Sequence, residues 1–163
     1  MINKKSKNMK TILIFIILIL PALNIFPQAK HLETGLYLVI PSDSCAGINN
    51  KNAVQYKNDT LCIEPKPVIT VKDFDFCDTA ESKLDGMEMF VLNIQLKDSS
   101  TLKFKEITTK NVGKRFAFVI DNKVIMAPVI RDPVTSGRMT VSGDKESNIK
   151  VMYKKLRMEM GKR

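Results

Sequence analysis

The chain has 163 residues, a formal net charge of +9, 44% hydrophobic and 26% charged residues, three cysteines, one histidine and no tryptophan. This balance is too apolar for a disordered chain, lacks the glycine content of collagen and is too charged for a many-spanning membrane protein. At this length a single domain is expected, able to bury roughly two thirds of the surface its unfolded chain exposes.

Lys4, Lys5, Lys7 and Lys10 precede an apolar run from Ile12 to Leu20 that Pro21 interrupts. A basic start followed by a short apolar stretch reads as a signal peptide over residues 1–28, cut near Gln28 or Ala29. The run is shorter than the roughly 20 residues that cross a bilayer, although Ala22 to Phe26 extends it and leaves an uncleaved anchor as the alternative. An exported protein, periplasmic or secreted, is expected, touching membrane only through that segment if it is retained. No cysteine follows directly, which argues against a lipoprotein. Removing residues 1–28 takes away four lysines and no acids, so the charge falls from +9 to +5.

The basic residues Lys154, Lys155, Arg157, Lys162 and Arg163 cluster at the end of an expected helix, where the helix dipole favours cations without any nucleic-acid partner. Cys45, Cys62 and Cys77 lie in the exported part, where thiols oxidise. Three cysteines suggest one disulfide and one leftover thiol; Cys45 with Cys62, near the ends of neighbouring strands, is the favoured pair, although sequence does not fix connectivity. The single histidine, His31, and the absence of a Cys-x-x-Cys pair offer no zinc site.

Residues 29–86 read as N-terminal strands and an acidic connector. Gly35 to Ile40 is a β-rich run ended by Pro41 and a polar loop. Val54 to Ile63 alternates around a turn at Lys57, Asn58 and Asp59, and Val68 to Val71 follows the extended Pro65-Lys66-Pro67 segment. Asp73 to Gly86 is read as an irregular acidic connector, without the spacing of a calcium loop.

Residues 87–163 carry the clearest pattern, within one globular domain over 33–161. Phe90, Leu92, Ile94 and Leu96 alternate with more polar neighbours, as in a half-buried strand. A helix is expected from about Thr101 to Asn111, capped by Ser99 or Ser100 and stopped at Gly113. Phe116, Phe118 and Ile120 alternate again, Asp121-Asn122 suits a tight turn, and Lys123 to Val129 returns, with Pro128 marking an edge. Gly137 turns the chain into a brief strand from Arg138 to Ser142. Asp144 would then cap a last helix with Ile149, Met152, Tyr153, Leu156 and Met160 on one stripe. The order of elements predicts an α+β fold, a mainly antiparallel sheet with two helices on one face.

Several of these residues carry a resemblance. Phe104, Thr108, Asn111, Gly113, Lys114, Asp121, the run Ala127-Pro128-Val129-Ile130, Gly137, and Ser142-Gly143 occur in the order and near the spacing of one family. The stretch resembles the head subdomain of the first periplasmic domain of SecD and SecDF, proteins that assist preprotein export. It covers about 40 residues strongly and about 110 loosely. Asn122 stands where the family has a glycine and Met126 where a small residue is common, and no transmembrane helices follow Gly161, so no proton-driven motor is expected.

The resemblance implies a fold and a polypeptide partner, but no catalytic residue and no cofactor. Independently, no nucleophile motif, metal motif or phosphate loop occurs, so the chain is not read as an enzyme. The leading expectation is an exported module that captures polypeptide segments by strand addition or apolar contact along Asp121 to Arg138, with Val129, Ile130, Arg131 and Arg138 as candidate contacts. The alternatives are an accessory module docking on an envelope or translocase protein, and a small-ligand or envelope-stress protein.

Overall fold

The computed structural model describes residues 31–41, 52–84, 87–143 and 145–161. Among the described residues nine strands, two α-helices and one short 3-10 turn follow in chain order: β1 (Gly35–Ile40), β2 (Ala53–Tyr56), β3 (Asp59–Ile63), β4 (Ile69–Thr70), the 3-10 turn (Val71–Asp73), β5 (Phe74–Leu84), β6 (Met87–Leu96), α1 (Asp98–Lys110), β7 (Phe116–Ile120), β8 (Lys123–Met126), β9 (Arg138–Gly143) and α2 (Glu146–Met160). All strand pairs are antiparallel. The expected α+β class is the class observed. Among the described residues no helix is long and apolar enough to cross a membrane.

The strands form two sheets, one ordered β2-β3-β1-β7-β8 with β4 also on β1, the other ordered β5-β6-β9. In the first, β7 has every residue buried, which explains its unbroken apolar sequence Phe-Ala-Phe-Val-Ile. Its alternating side chains serve two cores. Phe116, Phe118 and Ile120 join the larger one with Leu36, Phe74, Leu92, Ile94, Phe104 and Leu156. Ala117 and Val119 join the smaller one with Leu32, Tyr37 and Ile63. The sheet curls until β2 approaches β8, which closes around the smaller core.

The acidic stretch after Asp73 is a strand and not a connector. β5 pairs with β6 from Phe74 to Leu84, interrupted only by a bulge between Phe74 and Phe76. Asp75, Asp78 and Glu81 are exposed while Phe74 and Cys77 are buried, so the acids occupy solvated positions of an edge strand. Their weak β-propensity is overridden because β6 is a strong strand and the hairpin brings the two together directly. Cys77 is a free, buried thiol whose Sγ lies 3.7 Å from Sδ of Met160. Burial pushes this thiol up from its ordinary pKa.

The first helix begins three residues earlier than the sequence suggests, with Lys97 at the cap position and no side-chain cap. Ser100 is not a cap: it is buried and donates to Asp73 at 2.9 Å. Asp73 also accepts from the Thr70 N–H at 2.8 Å and the Thr70 hydroxyl at 3.1 Å, with Lys103 3.7 Å away. Its own carbonyl accepts from the Lys97 N–H at 3.0 Å. One carboxylate therefore ties the start of β5 to the start of α1. The second helix is preceded by Lys145, again without a side-chain cap, and Asp144 lies outside the described residues.

Burial opposes the charge on Asp73, yet the bonds from Thr70 and Ser100 and the field of Lys103 outweigh it and hold its carboxyl below the usual range. Asp73→Asn keeps the shape but removes an acceptor and the charge, so it is expected to cost about 1–3 kcal/mol. A group with a depressed folded-state pKa gives stability that is present above its unfolded pKa and lost as pH falls through the folded one. The gap between parent and variant in urea unfolding should accordingly shrink as pH drops below about 4.

Candidate functional site

Between the two sheets lies a cleft of about 370 Å³. Its floor is the Phe104 ring of α1, the Phe116 and Phe118 rings of β7 and Leu36 of β1. Phe104 and Phe116 have ring centroids 5.7 Å apart with planes tilted by 32°. One wall is the segment Pro128 to Asp132, and the other is Arg138 to Val141 of β9. Both walls contribute consecutive residues. A cavity lying over a sheet face would touch every second residue, so this one lies against the edge of β9 and the segment 128–132, which is not a strand.

The segment 127–134 is held by three kinds of bond. Ile130 N–H donates to Lys114 C=O and Gly113 N–H to Ile130 C=O, each at 2.8 Å, and Phe116 N–H donates to Pro128 C=O at 3.0 Å. Arg115 Nε donates to Ala127 C=O at 2.9 Å. Val134 N–H donates to the hydroxyl of Thr108 at 2.9 Å, and that hydroxyl in turn donates toward the Phe104 and Lys105 carbonyls. Thr108 is fully buried, so its hydroxyl is the polar pin that fastens the segment to α1. Gly137, with φ +63°, turns the chain into β9, and a Cβ there would stand 2.1 Å from the Thr101 hydroxyl oxygen.

The structure sorts the sequence-marked residues into two places. Phe104, Thr108, Pro128, Val129, Ile130, Arg131 and Arg138 line the cleft. Val129 is about half exposed (51%), whereas Ile130 is buried at 5% and belongs to the core. Asn111 closes α1, its side-chain amide donating to Ile107 C=O and its oxygen accepting from Lys114 Nζ, before Gly113 at φ +86°. Ala127 is buried beside the cleft wall, and Ser142 and Gly143 pair with Val91 and Phe90 in the ladder of β9 on β6.

Asp121 lies outside the cleft lining. It sits in the β7–β8 turn with Asn122, both at positive φ (49° and 64°), and forms an ion pair with Lys155 of α2. The Lys155 ammonium holds the exposed Asp121 carboxyl below the usual range. Asn122 Oδ1 accepts from Leu32 N–H at 2.8 Å, a bond glycine could not make. Met126, the other departure, lines the cleft.

Met139, Val141, Val134 and Thr140 also line the cleft and were not singled out from sequence. The period-two pattern of β9 carried the signal for Met139 and Val141, but nothing local shows what a strand faces. The charged groups at the cleft are Arg131, Asp132 and Arg138; Arg138 Nε donates to Gln95 Oε1 at 3.1 Å. Such walls offer apolar contact and backbone polar groups. Among the described residues no cluster of three or more His, Cys, Asp or Glu side chains is placed to hold a metal. Cys62 is buried in β3, and Cys45 lies outside the described residues.

Thr108→Val is isosteric and leaves Val134 N–H without its acceptor. The expected loss is about 1–3 kcal/mol by denaturant unfolding. An unchanged midpoint would show that the pin carries no stability.

Residues 49–150 match the family model "SecDF, P1 head subdomain". The chain is 45% identical over 53 residues to the protein translocase subunit SecD of Thermobaculum terrenum, covering 32% of this chain and 10% of that protein. It is 39% identical over 82 residues to SecD of Aquifex aeolicus, covering 50% and 16% respectively. The chain thus spans less than a fifth of the length of these relatives. Among solved structures, one described as "Structure and function of a membrane component SecDF that enhances protein export" superposes with a TM-score of 0.58 at 18% identity, over 96% of this chain and 71% of that one. "Crystal structure of SecDF in Super-membrane-facing form" gives 0.56 at 21% identity, over 76% and 18%. At these identities the structural likeness speaks to fold, while the family match covers well over half of the residues: the chain belongs to the SecDF P1 head subdomain family, a domain of the protein-export translocase subunits.

Proposed function

We propose that this protein acts outside the cytoplasm as a non-enzymatic module that holds apolar polypeptide segments in the cleft between its two sheets, in the service of protein export. The observation that carries this reading is the cleft itself. It has an aromatic floor, it is flanked by the edge of β9, and a half-exposed Val129 stands at its other wall. Export-related relatives supply the context, since they are translocase subunits. The basic and apolar N-terminus, read as a signal segment, would bring the domain to that compartment.

Val129 is the residue to test, because Ile130 is part of the core and a charge there would unfold the domain. Val129→Asp places a carboxylate at the cleft wall while its half-exposed site keeps the stability change near 0.5 kcal/mol. The expected outcome is loss of binding to an unfolded, reduced and alkylated model protein, measured by fluorescence anisotropy, with an unchanged melting curve. Binding equal to the parent would overturn the cleft as the place where polypeptide is held, and a parent that binds no unfolded protein would favour a module that docks on one fixed envelope partner.

The oxidising compartment also bears on the cysteines. Cys45 and Cys62 are proposed to form a disulfide, leaving Cys77 as the one thiol. Denatured without reductant, the exported protein should titrate one thiol per chain, and three after reduction. Three thiols before reduction would exclude the bridge.

A further inference from the structure

Resting on the polypeptide-binding reading, we infer that the ligand binds as an added strand, hydrogen-bonded to the free edge of β9. Leu96 N–H donates to Gly137 C=O at 2.9 Å, and the register places Ile94 opposite Met139 and Leu92 opposite Val141. In an antiparallel ladder, bonded pairs alternate with unbonded ones, so Gly137, Met139 and Val141 direct their backbone groups toward β6. Arg138, Thr140 and Ser142 direct theirs the other way. No strand pairs with that edge among the described residues. Arg138 N–H is occupied by the Ser136 hydroxyl at 3.3 Å. The N–H and C=O of Thr140 and Ser142 remain for a ligand.

The opposite wall has the same character over a shorter length. Pro128 and Ile130 turn their bonding groups toward residues 113–116, so Val129 between them turns its own away. An extended segment laid between the walls would bond to Thr140 on one side and reach Val129 on the other. Every second side chain would enter the cavity over Phe104 and Phe116, and the alternate ones would face solvent. The occupant is therefore an extended segment with apolar residues at alternate positions and free amides at the positions between, not a helix and not a proline-rich stretch. Six residues of β9 span about 20 Å, the length of roughly six ligand residues.

β8 is not the docking edge, because β2 closes toward it. This separates the inference from apolar capture anywhere along the hairpin.

The test uses the full chain recovered from the exporting cell and a fluorescent, acetylated octapeptide alternating valine and threonine. Thr140→Pro removes an N–H that the β6 ladder does not use and is expected to weaken binding about tenfold or more. Thr140→Val keeps the N–H, removes the hydroxyl that bonds Asn93, and should bind like the parent. Amide hydrogen exchange at Thr140 and Ser142 should slow when the peptide is bound. In case Thr140→Pro does not fold, the same peptide N-methylated on its valines, or on its threonines, carries the question. In strand addition one of these sets must lose binding. If Thr140→Pro and both methylated peptides bind like their parents while Val129→Asp does not, strand addition is wrong and apolar capture stands. If the parent protein binds neither the octapeptide nor the unfolded model protein, both readings fall.

Discussion

The structure depends on β7 being buried on both faces. A strand with five consecutive buried residues must be sandwiched, and everything around it serves that demand. On one side the sheet curls so that Tyr37, Ile63 and Leu32 cover Ala117 and Val119. On the other, Phe116, Phe118 and Ile120 need a second layer, which α1, α2 and the sheet β5-β6-β9 provide. That layer is assembled from parts distant in sequence, and it does not close completely. The cleft lies where this layer meets the buried Phe116 and Phe118 rings, between β9 and the segment after β8.

A small set of polar bonds fixes how the layers meet. Thr34 shows the principle: its hydroxyl donates to Glu159 of α2 at 2.9 Å and accepts from Asp121 N–H of the β7–β8 turn at 3.2 Å. Lys155 reaches the same turn, and Asn122 holds the backbone of Leu32. At the other end Asp73 joins β5 to α1 and Thr108 joins α1 to the cleft wall. Exposed ion pairs add little by themselves, so the buried and half-buried members, Thr34, Thr108 and Asp73, carry most of this positioning. Tyr37 belongs with them. Its hydroxyl donates to Glu33 C=O at 2.8 Å, and burial, with the Glu33 charge behind it, pushes its pKa up to about 12. The neutral phenol is thus part of the smaller core at any ordinary pH.

Much of this was legible in the sequence where a pattern is local. The alternation in Phe90 to Leu96 and Phe116 to Ile120, the helix stripe ending at Met160 and the Asp121-Asn122 turn all sit where their spacing places them. The strand β5 was hidden because its solvated positions are acids and its bulge breaks the alternation at Asp75. Long-range pairing with β6 decides it, and no window on β5 alone contains that information. The cleft was half legible. Val129 and Arg138 follow from the edge marked by Pro128, but Leu36, Met139 and Thr140 are brought there by topology. Asp121 stands apart from the cleft for the same reason: a motif residue close in sequence to the cleft wall lies in the β7–β8 turn, held by Lys155.

An open strand edge beside an apolar cavity is a hazard, since any extended chain can pair with it. The devices that limit the hazard here also define the proposed ligand. Ser136 occupies the N–H of Arg138, and the arginine side chain is tied across the ladder to Gln95. What is left is a short row, Thr140 and Ser142, facing the single residue Val129. Two or three backbone bonds at about 1 kcal/mol each, with a few apolar side chains, give weak and reversible capture. On the proposed reading a segment would be held briefly and then released, whereas a longer open edge would keep what it caught.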